Sequence, residues 1–163
     1  MERKVTHEKI IEFHKEIAER HKEINGFYRF DLKEIEGKMR SGIKSPALLL
    51  LSHSSILSTN QNKTTNFNTR TISFLIIDKG GKPDNFAKHN EVLNSTEMIA
   101  LDVVSYCKRE SGNAESFLHN LFDVANVRIE KVGPVFGTFY GWNVIYDIKN
   151  HESMLFDESK WEL

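Results

Sequence analysis

The chain is poor in the residues that staple a fold or mark its chemistry. One cysteine, Cys107, stands among 163 residues, which excludes an internal disulfide and any multi-cysteine zinc site and suits a reducing cytoplasm. Charge of one sign is also missing. The 22 Lys and Arg against 23 Asp and Glu leave a formal net charge of −1. That balance gives no pull toward nucleic acid, whose binding uses a clustered basic surface. The longest apolar run, residues 46–51, falls far short of the roughly 20 residues that span a bilayer. The opening Met-Glu-Arg-Lys-Val-Thr-His-Glu has no apolar stretch behind it, so no signal peptide is expected. A cytoplasmic protein with no membrane contact and no direct nucleic-acid binding is the expectation. With 39% apolar and 28% charged residues, the composition is that of a globular chain, long enough for a single domain over residues 1–163.

What is present is mostly patterning. Ile10, Phe13, Ile17 and Ile24 follow a three/four spacing, so residues 6–24 read as an amphipathic helix with Thr6 as cap and Asn25-Gly26 as stop. A shorter helix is expected from Asp31 to the Ser41-Gly42 break, with Leu32, Ile35 and Met39 on one face. Ala47-Leu-Leu-Leu-Leu-Ser52 reads as a strand buried on both faces. Residues 53–69 are rich in Ser, Thr and Asn and form a polar loop or a hairpin excursion. Residues 70–77 are a second strand, ended by the turn chemistry of Asp78-Lys-Gly-Gly-Lys-Pro83. Asp84 is placed to cap a long helix to about Glu110, with Phe86, Leu93, Ala100, Val104 and Cys107 inward and Met98, Leu101 and Val103 thickening that face. A short helix at 115–122 and a strand at 127–132 follow, and Gly133-Pro134 turns the chain back. In the closing strand Trp142, Val144, Tyr146 and Ile148 alternate with Gly141, Asn143, Ile145 and Asp147, which gives one apolar face. Gly141 inside it signals a bulge or a close backbone approach. Two strand pairs separated by a helical block give an α+β domain: a mostly antiparallel sheet of about four strands packed against an N-terminal helix and a long central helix. A tail at 150–163, carrying Leu155, Phe156 and Trp161, is expected to pack onto something.

The candidate chemical groups read better as scaffold. His7, His14 and His21 are spaced seven apart on the first helix. Seven residues rise about 10.5 Å, too far for two ligands of one ion, so they are expected along the polar margin of the helix. Ser52-His53-Ser54-Ser55 sets hydroxyls beside an imidazole, but without the Gly-x-Ser-x-Gly elbow that would expose a nucleophile. Cys107 falls on an inward helix face, where a thiol acts as a small hydrophobe. The adjacent glycines at 80 and 81 do not fit the Walker spacing. No catalytic residue, metal ligand or cofactor is expected.

The stretch from Phe27 (Phe-Tyr-Arg-Phe-Asp-Leu-Lys-Glu-Ile) and the closing Lys131-Val-Gly-Pro-Val-Phe-Gly-Thr-Phe-Tyr-Gly-Trp-Asn-Val-Ile-Tyr-Asp-Ile resemble small proteins of Bacteroidetes prophages and phage-tail-like contractile particles. The layout is similar to that of tail terminator and tail completion proteins. The resemblance implies a non-enzymatic, ring-forming structural protein, a hexamer, whose partners are itself and tail tube, sheath or connector proteins. Contact is expected through Phe136, Phe139, Tyr140, Asn66, Phe67 and Trp161. The alternative is a small hydrolase or nucleotide-handling enzyme using His53 and its polar neighbours.

Overall fold

A computed structural model describes residues 3–30 and 42–162. The helix expected from Asp31 lies outside the described residues. Helix α1 (His7–Arg20) starts where Thr6 accepts the Lys9 N–H at 3.2 Å and ends before Asn25-Gly26. Strand β1 (Gly26–Phe30) follows at once, where the sequence signals only a stop. Then come β2 (Ala47–Leu51), β3 (Ser54–Thr59), β4 (Asn66–Lys79), the long helix α2 (Phe86–Ser111), β5 (Arg128–Val135) and β6 (Phe139–His151). The architecture is α+β, with, among the described residues, a mixed sheet of six strands in the order β1-β2-β4-β6-β5 and β3 also paired to β4. Only β1 and β2 run parallel; the other pairs are antiparallel. The expected four strands thus gain β1 and β3.

Both helices cover one face, α1 over β1 and β2 and α2 over β4 and β6. Alternation sorts the strands. Leu48, Leu50, Ile72, Phe74, Ile76, Val144, Tyr146 and Ile148 join Ile10, Ile17, Ile99 and Val103 in the main core. The far face carries a smaller cluster of Ile43, Ala47, Leu49, Leu75, Ile77 and Phe139. Strand β2 is therefore buried on both sides, as its unbroken leucines require. The closing strand also keeps its expected apolar face. Gly141 is obligatory, because a Cβ there would lie 1.8 Å from the Ile76 carbonyl oxygen on β4.

Residues 53–69 take the hairpin form rather than the loop form. Between Leu50↔Phe74 and Ser54↔Thr71, three residues (51 to 53) face two (72 and 73), a one-residue bulge. β2 and β3 are therefore one bent strand running along β4, and only residues 60–65 remain as connection. The bulge reverses side-chain parity. Leu57, not Ile56, shares the helix-side face with Asn68 and Arg70.

Several other expectations shift. Asn85, not Asp84, caps α2, accepting the Lys88 N–H at 3.1 Å. On α2, Ala100, Val103, Val104 and Cys107 face inward as expected and are joined by His89, Val92, Thr96 and Ile99, whereas Leu93 is half-buried and Phe86, Met98 and Leu101 are exposed. Residues 115–122 form consecutive turns rather than a helix, although Leu118 and Phe122 do point inward. Gly133-Pro134 lies within β5 at an irregular register, and the reversal occurs at residues 136–138. Among the described residues no helix is long and apolar enough to cross a membrane.

Candidate functional site

The three helix-α1 histidines have three different fates. His7 is exposed, and its Nε2 accepts from the Arg29 guanidinium at 3.3 Å. His14, expected on the polar margin, is fully buried in the core. Its Nδ1 lies 2.7 Å from the Ile10 carbonyl, which can only accept, so the proton sits on Nδ1. Nε2 is then the acceptor for the Tyr146 hydroxyl at 3.0 Å. Burial pushes the His14 pKa down to about 4 and lifts that of Tyr146. His21 caps the end of α1 and, with Glu23 and Asp102, offers ligand atoms within 4.8 Å of one another. The Glu23 N–H donates to His21 Nδ1 at 3.2 Å, leaving the ring proton on Nε2, which faces Asp102 Oδ2 at 3.4 Å. The ring is thus set as a donor to Asp102, and a metal would have to displace that proton.

His53 sits at the β2–β3 bulge, its ring 5.3 Å from that of His7. Burial, His7 and Arg70 all hold its pKa below the usual imidazole value. Among the described residues it makes no hydrogen bond to Ser52, Ser54 or Ser55, and the charges acting on it are cationic. A nucleophile–base–orienter set needs the opposite, a carboxylate behind the imidazole. The cavity between His7, Arg29, Ser52 and His53 is about 10 Å³, space for at most a water molecule. Cys107 is buried, and burial together with the Glu110 charge raises its pKa to about 12. It has the environment of an inert core thiol.

A polar cluster that the sequence does not advertise closes the same end of the sheet. Asn68, Arg70, Asn150 and Glu152 continue the core-facing alternation of β4 and β6 and are all buried. Arg70 donates to Asn150 Oδ1 at 2.8 Å and to Glu152 Oε2 at 3.4 Å. Arg3 reaches Glu152 from the other side. The signal was there, since residues 68, 70 and 72 keep the parity of Phe74, but polar side chains on that parity read as loop. Beyond Glu152, the tail and the N-terminal segment frame an open groove of about 660 Å³ with Arg3, Lys4, His151, Leu155 and Phe156 in its wall.

The structure separates the six expected contact residues. Phe139 is buried in the far-face cluster. Tyr140 fills a slot between Gly80 and Gly133, where a Cβ would come within 2.3 and 2.6 Å of its ring, and it stacks on His89 at 4.1 Å. Phe136 packs half-buried against the same far-face cluster. Phe136, Phe139 and Tyr140 are thus internal packing, and Gly80 and Gly133 make the space for the Tyr140 ring. Asn66 and Phe67 are half-buried at the start of β4, with Phe67 between Lys149 and His151. Trp161 alone is well exposed, at 61%, and lies in a tail whose Leu155 and Phe156 are 80% and 59% exposed. Phe156 and Trp161 stack on each other at 5.6 Å. Another exposed apolar pair, Ile56 and Leu57 at 68% and 59%, lies on β3 at the same end of the sheet. Compared with known proteins, the chain matches no family model and no curated protein sequence.

Proposed function

We propose that this chain is a non-enzymatic assembly protein, a ring-forming terminator, completion or connector subunit of a phage-like tail or contractile particle. The observation that carries the reading is the uncovered apolar tail. Leu155, Phe156 and Trp161 are large, exposed and grouped beside an open groove. Exposed apolar groups of this size mark surfaces that another protein covers. The two sequence stretches that resemble phage-tail proteins supply the particle type. The alternative, a hydrolase or nucleotide-handling enzyme working through His53, draws less support. His53 has cationic neighbours, no bonded serine and a cavity of about 10 Å³.

The test replaces Leu155, Phe156 and Trp161 together by Ser and measures association by sedimentation velocity. The variant is expected to keep the wild-type melting curve, since these side chains lie outside both core clusters, and to lose ring assembly and capture of tail tube or connector proteins. Undiminished ring assembly would contradict the reading.

A further inference from the structure

The two long-lived hazards of a β-sheet are its edges, and this sheet treats two of them differently. The outer edge of β5 carries exposed Arg128, Glu130 and Lys131, together with Pro134 and an irregular register between Val132 and Val135. Charges, proline and bulges on an edge prevent pairing with another chain. β3 has none of these. Its Ser54-Ser-Ile-Leu-Ser-Thr59 is uncharged and without proline, regular in register along all six residues, and exposed at every position. Among the described residues it pairs only with β4, and no described strand meets its outer row of backbone N–H and C=O groups.

We infer that β3 pairs, antiparallel and across a twofold axis, with β3 of a second copy of this chain. Recognition of a different protein by strand addition draws specificity from pockets or charges beside the edge. β3 has no charged side chain, and none of its residues lines a pocket wall described above. An identical strand needs neither, because an uncharged segment meets no like charge when it faces its own copy. An antiparallel twofold stands perpendicular to the sheet and keeps each face continuous across the pair. The axis therefore passes through a residue position, and either Ile56 or Leu57 lies opposite its own copy. These are the two exposed apolar residues of the strand. A six-residue seam is small, so the pairing is concentration-dependent rather than permanent. It closes at two copies and does not rest on the phage-tail reading.

Cys107 is buried, so a cysteine introduced on β3 is the one reactive thiol of the native chain. Ile56→Cys and Leu57→Cys, treated with a short bis-maleimide, are expected to give a covalent dimer, strongest for whichever residue lies on the axis. Asn94→Cys on the exposed side of α2 should give none. Leu57→Lys in the Ile56→Cys background, and Ile56→Lys in the Leu57→Cys background, should weaken dimerisation by about tenfold or more, since like charges then meet. Unchanged circular dichroism and melting would show that these exposed positions leave the fold intact. If the purified Ile56→Cys and Leu57→Cys variants stay monomeric, or form an adduct only with a different protein in lysate, the inference falls. A wild-type mass of several chains without β3 cross-links would overturn this pairing and leave the assembly reading standing.

Discussion

Acid should weaken this fold chiefly through one side chain, His14. The ring is fully buried, with its Nδ1–H donating to the Ile10 carbonyl and its Nε2 accepting from Tyr146. In the unfolded chain it titrates near 6.5, and in the folded chain burial lowers this to about 4. Between those values the unfolded chain holds one more proton than the native one, so falling pH favours unfolding. The contribution is complete above pH 6.5 and is lost at about 1.4 kcal/mol per pH unit down to about pH 4, roughly 3 kcal/mol in all. The assay is urea unfolding at pH 7.5, 6.5, 5.5 and 4.5 for the wild type and for the double variant His14→Leu, Tyr146→Phe. The double variant removes the buried base and the hydroxyl that would otherwise lose its partner. Carboxylates and exposed histidines act alike on both proteins, so the difference between the two curves isolates His14. The expected result is a difference that grows as the pH falls. Parallel curves across this range, or a His14 ring resonance that titrates near 6.5 in the native protein, would refute the reasoning.

Further outcomes follow from the packing. Gly141→Ala should cost about 3 kcal/mol or more, or abolish folding, because its Cβ would meet the Ile76 backbone at 1.8 Å; thermal melting reads this. Glu152→Ala should cost about 3 kcal/mol, since it strands the buried Arg70 charge. Arg3→Ala, at an exposed partner of the same carboxylate, should cost about 1 kcal/mol or less. Thiol reagents should label Cys107 only at the rate of unfolding, given its burial and a pKa of about 12.

The sequence made legible those elements whose own residues decide them. Thr6 and the three/four spacing of isoleucines define α1, and the alternation from Trp142 to Ile148 defines the core face of β6. Elements decided by a partner were hidden. β3 is rich in serine, with weak strand propensity; it is extended because β4 offers a ladder along six positions. The one-residue bulge before it leaves no compositional trace. The buried face of α2 is camouflaged by His89, Thr96 and Glu110, each satisfied by a local hydrogen bond. His14 was misjudged for the same reason, because a polar residue on the boundary of an apolar stripe looks solvent-facing until the Tyr146 hydroxyl is seen opposite it. At the candidate site, Phe139 and Tyr140 looked like contact residues because glycines flank them. The ring of Tyr140 instead lies against His89, in a slot that Gly80 and Gly133 leave open, and Gly141 lets β6 approach Ile76 on β4. The tail, expected to pack onto something, instead leaves Leu155, Phe156 and Trp161 exposed.

The most direct measurement is the solution mass by light scattering over a wide concentration series. An assembly subunit should exceed the 18.9 kDa of one chain and rise with concentration toward a closed multiple, six copies for a tail ring. A constant 18.9 kDa at every concentration, with no binding to tube or sheath proteins, would contradict it.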